Sequence, residues 1–222
     1  MKLVAEGVIV EIQGNRILSD VYFHMEDKGV TGLFGRNGSG KSTLLKALFS
    51  EFKPQWSRIT IDGEVVKSPY LIQGLMKYLP QDSFFPSSIR CREALALFNI
   101  SHNAQEIIQG IVGFLNGAKV SQLSLGQRRS FEMLVLLYSD SKFVLLDEPF
   151  TGLSPILIEK IIPLIKEQSK NKGILIIDHQ WSSVLEISDR YYLMDRGNLK
   201  EYLSRDQIRE SSYLNSFKEG FD

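Results

Sequence analysis

Eight consecutive residues, Gly35 to Ser42, carry the pattern with the most specific chemistry in this chain. They read GRNGSGKS and fit the phosphate-binding loop G-x-x-x-x-G-K-[ST] at every fixed position. Glycines let the backbone wrap tightly, so that its N–H groups can point at phosphate oxygens. The Lys41 ammonium can reach the outer phosphates of a nucleotide, and the Ser42 hydroxyl can bind Mg²⁺. The sequence therefore predicts a nucleotide site.

The residues around this loop supply the elements that its chemistry needs. Val30 to Phe34 predict a buried strand before the loop, and Thr43 to Leu48 predict a helix after it. The positive N-terminal end of that helix would face the bound phosphates. The predicted nucleotide contacts are Gly35, Arg36, Asn37, Gly38, Ser39, Gly40, Lys41, Ser42 and Thr43.

A second group of polar residues follows two apolar runs. Phe143 to Leu146 predict a buried strand that ends at Asp147 and Glu148, and Gly173 to Ile177 predict another that leads to His179. Ligands bind at the carboxyl ends of the strands in open α/β sheets. Beside a phosphate loop, we expect Asp147 to hold magnesium and Glu148 to orient or deprotonate an attacking water.

The bulk composition narrows the class of protein. The 222 residues include 26 Lys+Arg and 26 Asp+Glu, and this zero net charge argues against a dedicated nucleic-acid binder. Cys91 is the one cysteine, so no disulfide can form within the chain, which favours a reducing compartment. No apolar run approaches the roughly 18 residues that cross a bilayer. If the protein works at a membrane, we expect another chain to hold it there.

Strands that alternate with helices predict an α/β fold. We expect a P-loop NTPase core with a mostly parallel sheet, and an antiparallel N-terminal β subdomain from strands at Lys2 to Ile12 and Ile17 to Met25. Residues 82–122 are mostly helical in pattern and predict an inserted α-helical lobe. The nucleotide-binding lobe would then comprise residues 1–81 and 123–222 of a single domain that spans 1–222.

Shorter signals predict individual turns and helix ends. Asp62-Gly63 is a strong hairpin dipeptide. A helix is predicted from Ile156 to Lys166, and Pro163 is expected to kink or shorten it. Ser204 followed by Gln207 fits a capping box at the start of a C-terminal helix.

Five motifs, in family order, resemble those of the ATP-binding-cassette (ABC) ATPases, the nucleotide-binding subunits of ABC transporters. The phosphate loop is GRNGSGKST, and the others are similar to the glutamine loop, the signature LSGGQ, the Walker B segment with its catalytic glutamate, and the switch-histidine loop. In this sequence they lie at Gly35 to Thr43, Tyr78 to Gln81, Leu123 to Arg129, Phe143 to Pro149, and Ile177 to His179. They cover most of the chain, and the resemblance implies the ABC ATPase fold.

The resemblance implies a dimer of cassettes, either a homodimer or a heterodimer with another ABC ATPase. The two subunits would pair head to tail and enclose two ATP molecules. Each ATP would lie between one subunit's phosphate loop and the signature loop of the other. The residues implied to contact ATP in trans are Ser124, Gly126 and Gln127.

The resemblance also implies roles within one cassette. Its implied catalytic residues are Glu148, His179 and Gln81, of which Gln81 would contact both the metal and the attacking water. Its implied Mg²⁺ ligands are Ser42, Gln81 and Asp147. His179 would bind the γ-phosphate and link it to Glu148.

The function implied is ATP hydrolysis that drives transport through an integral membrane permease, with the cassette peripheral on the cytoplasmic face of the cell membrane. One alternative is a soluble ABC-type switch in DNA repair or translation. The repair type has a long coiled-coil insertion, which this sequence lacks. The translation type has two cassettes in one chain, whereas this sequence has one. The other alternative is a weakly hydrolysing half of a heterodimer.

Departures from the family pattern leave some positions open. Leu125 replaces glycine in the signature, where its bulk and restricted φ predict a working but slower site. Ser154 replaces the usual aspartate after Walker B, which puts communication between the two ATP sites in doubt. No aromatic residue ends the first strand, so Ile12 is a candidate to pack on adenine, and Tyr22 or Phe23 are weaker candidates.

Phe84 and Phe85 follow the glutamine loop directly. In the family, a groove at this place receives a short helix of the membrane subunit. We expect at least one of the two rings to be core of the helical lobe, and the other either to pack likewise or to line the groove.

Overall fold

The computed structural model describes residues 1–113 and 117–210. The strands of this part, in chain order, are β1 (Lys2–Ile12), β2 (Asn15–Glu26), β3 (Gly29–Phe34), β4 (Trp56–Ile61), β5 (Glu64–Val65), β6 (Met76–Leu79), β7 (Phe143–Asp147), β8 (Gly173–Ile177), β9 (Arg190–Asp195) and β10 (Asn198–Tyr202). The helices are α1 (Lys41–Phe49), α2 (Cys91–Leu97), α3 (His102–Val112), α4 (Leu125–Tyr138), α5 (Pro155–Ser169), α6 (Trp181–Ile187) and α7 (Arg205–Arg209). Within these residues, no helix has both the length and the apolar character that a membrane span requires.

The first sheet is antiparallel, with strand order β2-β1-β4-β5. Leu3 and Ala5 are buried, and the alternation resumes at Val8 after a bulge in β1. Such a bulge inserts residues without turning the buried face outward. This sheet confirms the predicted antiparallel N-terminal strands. Asp62 and Gly63 both have positive φ between β4 and β5, as a tight hairpin of the predicted kind requires.

The second sheet has the order β10-β9-β3-β8-β7-β6, and β10 is its antiparallel member. The other neighbours pair in parallel, so the carboxyl ends of β3, β7 and β8 meet at one edge. Every residue of β7 and β8 is buried, which is typical of a parallel sheet covered on both faces. The predicted α/β fold with a mostly parallel sheet is therefore confirmed.

The side chains of β7 alternate between two hydrophobic clusters. Phe143 and Leu145 belong to the cluster with α1 and the first sheet, whereas Val144 and Leu146 belong to the cluster with α2 to α6. The predicted helical segment thus shares a core with one face of the parallel sheet. Its division from the rest as a lobe at 82–122 stays a prediction, and residues 114–116 and 211–222 lie outside the described part.

Pro163 does not shorten its helix, so that one of the two expected effects is wrong, and the expected kink stays a prediction. Helix α5 begins at Pro155 and continues past Pro163 to Ser169. Pro163 lies on the exposed face, where the Glu159 carbonyl that lacks its helical partner can bond to water. Ile161 and Ile165 are fully buried on the opposite face, and their burial offsets the cost of the proline.

Candidate functional site

The phosphate loop joins β3 to α1 and bends at glycines. A Cβ on Gly35 would lie 2.4 Å from the Met194 carbonyl oxygen, so this position accepts only glycine. The Lys41 Nζ donates to the carbonyl oxygens of Gly35 and Arg36, at 2.7 and 2.9 Å, and the loop therefore wraps around its own lysine. Burial lowers the pKa of the Lys41 ammonium, against the opposing effect of nearby carboxylates.

A cavity of about 440 Å³ opens above the loop. The loop residues that line it are Asn37, Gly38, Gly40, Lys41, Ser42 and Thr43. Gln81, Glu148 and His179 join them from distant parts of the sequence. The structure thus brings most of the predicted ATP and catalytic positions to one cavity of a size that suits a small-molecule ligand.

Some predicted positions lie outside this lining. Gly35 and Ser39 do not line it, and the Ser39 side chain is buried. Arg36 lines a neighbouring cavity of about 530 Å³ together with Arg196 and Lys200. The loop pattern gives spacing but not the direction of each side chain, which is why the sequence could not separate these residues from the others.

Asp147 ends β7 and is 1% exposed. Ser42 Oγ donates to its Oδ1 at 3.0 Å, and the Tyr78 hydroxyl donates to its Oδ2 at 3.2 Å. Burial raises the pKa of the Asp147 carboxyl, and these two hydrogen bonds oppose the shift. Hydroxyl, carboxylate and amide oxygens are the ligands that Mg²⁺ prefers, so Ser42, Asp147 and Gln81 fit the metal that the family implies.

Glu148 has a backbone conformation that few residues of its type adopt, with φ of 52°. Its N–H donates to the Ile177 carbonyl at 2.7 Å, which ties the bend to the neighbouring strand β8. Thr151 Oγ1 donates to Glu148 Oε2 at 3.2 Å, and His179 Nε2 lies 3.0 Å from Oε1. The bend and these contacts direct the Glu148 carboxylate into the cavity, where it can accept a proton from water.

Sequence reasoning missed residues that support the site from below. The Arg129 side chain is buried and donates to main-chain carbonyls at the ends of β6 and β7. The Asp178 carboxylate accepts from the N–H groups of Phe150 and Gln180 at 2.7 and 2.8 Å, and its burial raises its pKa. Asp178 follows an apolar run, which was a usable signal. Arg129 ends the segment that resembles the signature, but nothing in the sequence showed that its side chain reaches the strand ends.

The signature residues lie at the N-terminus of α4, away from this cavity. Ser124 caps the helix, because its Oγ accepts from the Gln127 N–H at 3.3 Å while Gln127 Oε1 accepts from the Ser124 N–H at 2.9 Å. A Cβ on Gly126 would lie 2.9 Å from the Gly152 carbonyl oxygen, so glycine is needed for this approach.

The restriction of φ expected at Leu125 causes no backbone strain in this structure. This residue begins α4 in a helical conformation that residues with a Cβ adopt without strain, and its side chain is 74% exposed. Ser154 has a structural role, because its Oγ accepts from the Leu157 N–H at 3.4 Å and caps α5.

The positions left open for adenine and for the groove are partly resolved by burial. Phe23 is fully buried and cannot stack on a base, and Tyr22 does not line the cavity. Ile12 lines it, as does Ile17, which the sequence reasoning did not name.

Phe85 lies in the core, which confirms the expectation for one ring of the Phe84–Phe85 pair. Phe84 is partly buried, with its ring centroid 4.3 Å from that of Phe85.

Comparison with known proteins agrees with this geometry. A family model described as ABC transporter matches residues 18–151. The lipopolysaccharide export system ATP-binding protein LptB of Haemophilus influenzae is 28% identical, over 89% of this chain and 88% of that protein. An ABC transporter ATP-binding protein of Listeria monocytogenes is 31% identical, over 84% of this chain and 75% of its own length. A solved ATP-binding subunit of an ABC transporter superposes with a TM-score of 0.82 at 20% identity, over 99% of both chains, which supports the fold.

Proposed function

The chain belongs to the ABC transporter family, and from that premise we propose that it is the ATP-hydrolysing subunit that powers transport across a membrane through a separate permease. The family establishes the ATPase activity. The observation that carries the assignment of residues is the single cavity that Lys41, Glu148 and His179 line together. Phosphoryl transfer to water requires a group that binds the phosphates, a carboxylate base and a residue that hydrogen-bonds to that base.

In the proposed reaction, the loop N–H groups and Lys41 hold the outer phosphates of ATP. Ser42, Asp147 and Gln81 would hold Mg²⁺, which when bound neutralises charge on the phosphate oxygens. Glu148 orients a water molecule and accepts its proton as the water oxygen attacks the γ-phosphorus. The bond to the bridging oxygen breaks, and ADP and inorganic phosphate leave. His179 holds the Glu148 carboxylate in place and donates to the γ-phosphate.

The proposed active unit is a dimer, either of two copies or with a related cassette. Ser124, Gly126 and Gln127 lie outside their own chain's cavity, and Leu125 beside them projects into solvent. A 14-residue helix begins at this point, so its N-terminal dipole favours an anion there. These features support contact between this end of α4 and the ATP of a second subunit.

We infer that the cassette is peripheral on the cytoplasmic face of the cell membrane. The LptB relatives are named as ATP-binding proteins of an export system, which supports work at a membrane. The repair-type alternative receives no support from the described residues between α1 and the signature. In that part, α2 and α3 span 7 and 11 residues, which is too short for a long coiled coil. In this proposal the permease, and not this chain, determines which substrate is transported.

The test is to purify the tagged cassette from its native membrane in detergent and return it to lipid vesicles with the integral membrane protein that copurifies. We expect that protein to contain several membrane spans and to change the rate of ATP hydrolysis when its substrate is added. The same tag on an unrelated cassette is the control. Recovery of the chain without any integral membrane protein, together with unaltered hydrolysis in vesicles, would contradict the transport role.

A further inference from the structure

The guanidinium of Arg129 lies beneath the edge of the sheet that carries the candidate site. The residue is 6% exposed and belongs to the second turn of α4. Its Nη1 donates to the Pro80 carbonyl at 2.7 Å, and its Nε and Nη2 donate to the Glu148 carbonyl at 3.2 and 3.0 Å. Nη2 also donates to the Asp147 carbonyl. One side chain therefore bonds to the backbone at three positions of two neighbouring strand ends.

These carbonyls lie where the sheet no longer supplies donors from both sides. The pairing of β6 with β7 ends at Leu79 and Leu146. The next carbonyls, those of half-buried Pro80 and buried Asp147, would lack protein partners on that side if the guanidinium were absent. A planar guanidinium offers five N–H donors in a fixed arrangement, so it can hold several carbonyls in one geometry.

Each bonded carbonyl belongs to, or precedes, a residue of the proposed reaction. Asp147 and Glu148 are bonded directly, and Pro80 immediately precedes Gln81. Glu148 depends on this support most, because its φ of 52° is sparsely populated and needs surrounding bonds to persist. Its N–H is fixed by Ile177 and its carbonyl by Arg129, so the direction of its side chain is set from both ends.

We propose that Arg129 is a positioning residue for ATP hydrolysis, which holds Gln81, Asp147 and Glu148 in register with one another. The proposal rests on the roles given to these residues under the proposed function. Arg129 lies two residues after Gln127, so the same residue links the signature end of α4 to the edge where water would be activated. A shift of α4 would thereby move the general base.

Lys172 provides a matched control at the other end of the same helix. It is also 6% exposed, and its Nζ donates to the carbonyls of Leu137 and Ser139 at 2.6 and 2.8 Å. Both residues are buried cations that bond to main-chain carbonyls of or beside α4. Arg129 bonds to the catalytic edge, whereas Lys172 bonds to the helix end remote from it. A merely structural role for Arg129 predicts that variants of the two behave alike.

The experiment compares Arg129→Gln, Arg129→Lys and Lys172→Met with the parent protein in thermal unfolding, binding of a fluorescent ATP analogue, and steady-state hydrolysis. We expect Arg129→Gln to lower kcat about 100-fold per folded molecule, the scale of loss for a small misplacement of catalytic groups. Its Kd for the analogue should change less than about 3-fold, because the phosphate loop is untouched. Arg129→Lys should give an intermediate kcat. Lys172→Met should leave kcat per folded molecule unchanged, whatever the change in its Tm.

The proposal is overturned if Arg129→Gln loses no more kcat than Lys172→Met, or if its Kd rises as steeply as its kcat falls. If Arg129→Gln does not fold, Arg129→Lys decides, and a parental kcat in that variant overturns the proposal. Glu148→Gln in the same assay distinguishes a failure of the proposed function from a failure of the proposal for Arg129. Undiminished turnover in Glu148→Gln contradicts the role of Glu148, whatever the Arg129 variants show.

Discussion

His179 Nε2 lies 3.0 Å from Glu148 Oε1, although 31 positions separate the two residues in the sequence. The register of the parallel sheet causes this contact. Asp147 pairs with Ile177 at the ends of β7 and β8, so the residues that follow each strand emerge side by side. The carboxylate proposed as the base and the imidazole proposed to orient it therefore lie side by side at the edge of the sheet.

Glu148→Gln should abolish most turnover while ATP binding persists. The amide keeps the shape of the side chain but cannot accept a proton from water, and we expect kcat to fall about 100-fold or more. Steady-state hydrolysis and binding of a fluorescent ATP analogue measure the two effects. A variant that binds the analogue and hydrolyses ATP at the parental rate would refute the role of the carboxylate.

His179→Ala should lower kcat about 10-fold to 100-fold, because the Glu148 carboxylate loses the partner that orients it. The matched control is His102→Ala, since His102 is an exposed histidine on α3 that is remote from the cavity. We expect the control to hydrolyse ATP at the parental rate. Equal rates in the two variants would show that His179 takes no part in the reaction.

Ser42→Ala should weaken the response of hydrolysis to Mg²⁺. The substitution removes one oxygen ligand and the hydrogen bond that Ser42 donates to Asp147. We expect half-maximal activity to require about 10-fold more Mg²⁺, on the scale of lost metal ligation or its support. Titration with Mg²⁺ after treatment with EDTA measures this shift. Coincident titration curves for the parent and the variant would remove Ser42 from the metal site.

Lys172 should make the free energy of unfolding depend on pH in alkaline solution. Burial lowers the pKa of its ammonium from 10.5 to about 8 in the folded protein. Between these values the unfolded chain binds more protons than the folded one, so stability rises as the pH increases from about 8 to 10.5. The rise should amount to roughly 3 kcal/mol, at about 1.4 kcal/mol for each pH unit.

Urea unfolding of the parent and of Lys172→Met at several pH values measures this effect. Other groups titrate alike in both proteins, so the difference between the two curves reports on Lys172 alone. We expect the parent to gain stability relative to the variant as the pH increases. Curves that stay parallel across this range would show that the lysine is not perturbed as described.

Leu125→Gly should accelerate hydrolysis by the dimer several-fold and change the stability of the monomer by no more than about 1 kcal/mol. The isobutyl group is exposed at the signature, where the partner's ATP is proposed to bind. Leu97→Gly is the control, because Leu97 is similarly exposed on α2. The rate is measured against protein concentration. Unchanged hydrolysis in Leu125→Gly would mean that the leucine does not slow the site.

Local patterns were sufficient to predict the phosphate loop, the strand before it and the helix after it. The strands that begin at Phe143 and Gly173 each have five buried residues in the structure. Asp147, which ends the first strand, and His179, two residues after the second, could therefore be placed on one edge. Both inferences use short stretches of chain whose chemistry depends little on what packs around them.

The residues that hold the site residues in place could not be predicted, because their contacts are tertiary. Tyr78 meets Asp147 only since β6 pairs beside β7, a neighbour relation that no local pattern states. An arginine in a helix is usually solvated, and only the packing of α4 against the sheet shows that Arg129 is buried. Pro163 misled for the same reason, since the packing of α5 outweighs the local preference of one residue.

The left-handed backbone conformation at Glu148 makes the residue that is best for folding differ from the residue that is best for hydrolysis. In a library of all twenty residues, screening for folded protein alone would enrich glycine, asparagine and aspartate, which tolerate this conformation, and would deplete valine and isoleucine. Screening for growth that requires the ATPase would instead retain glutamate. The proposed chemistry of Glu148, and not its contribution to folding, then explains why glutamate stands here, so stabilising redesign of this cassette should leave position 148 untouched.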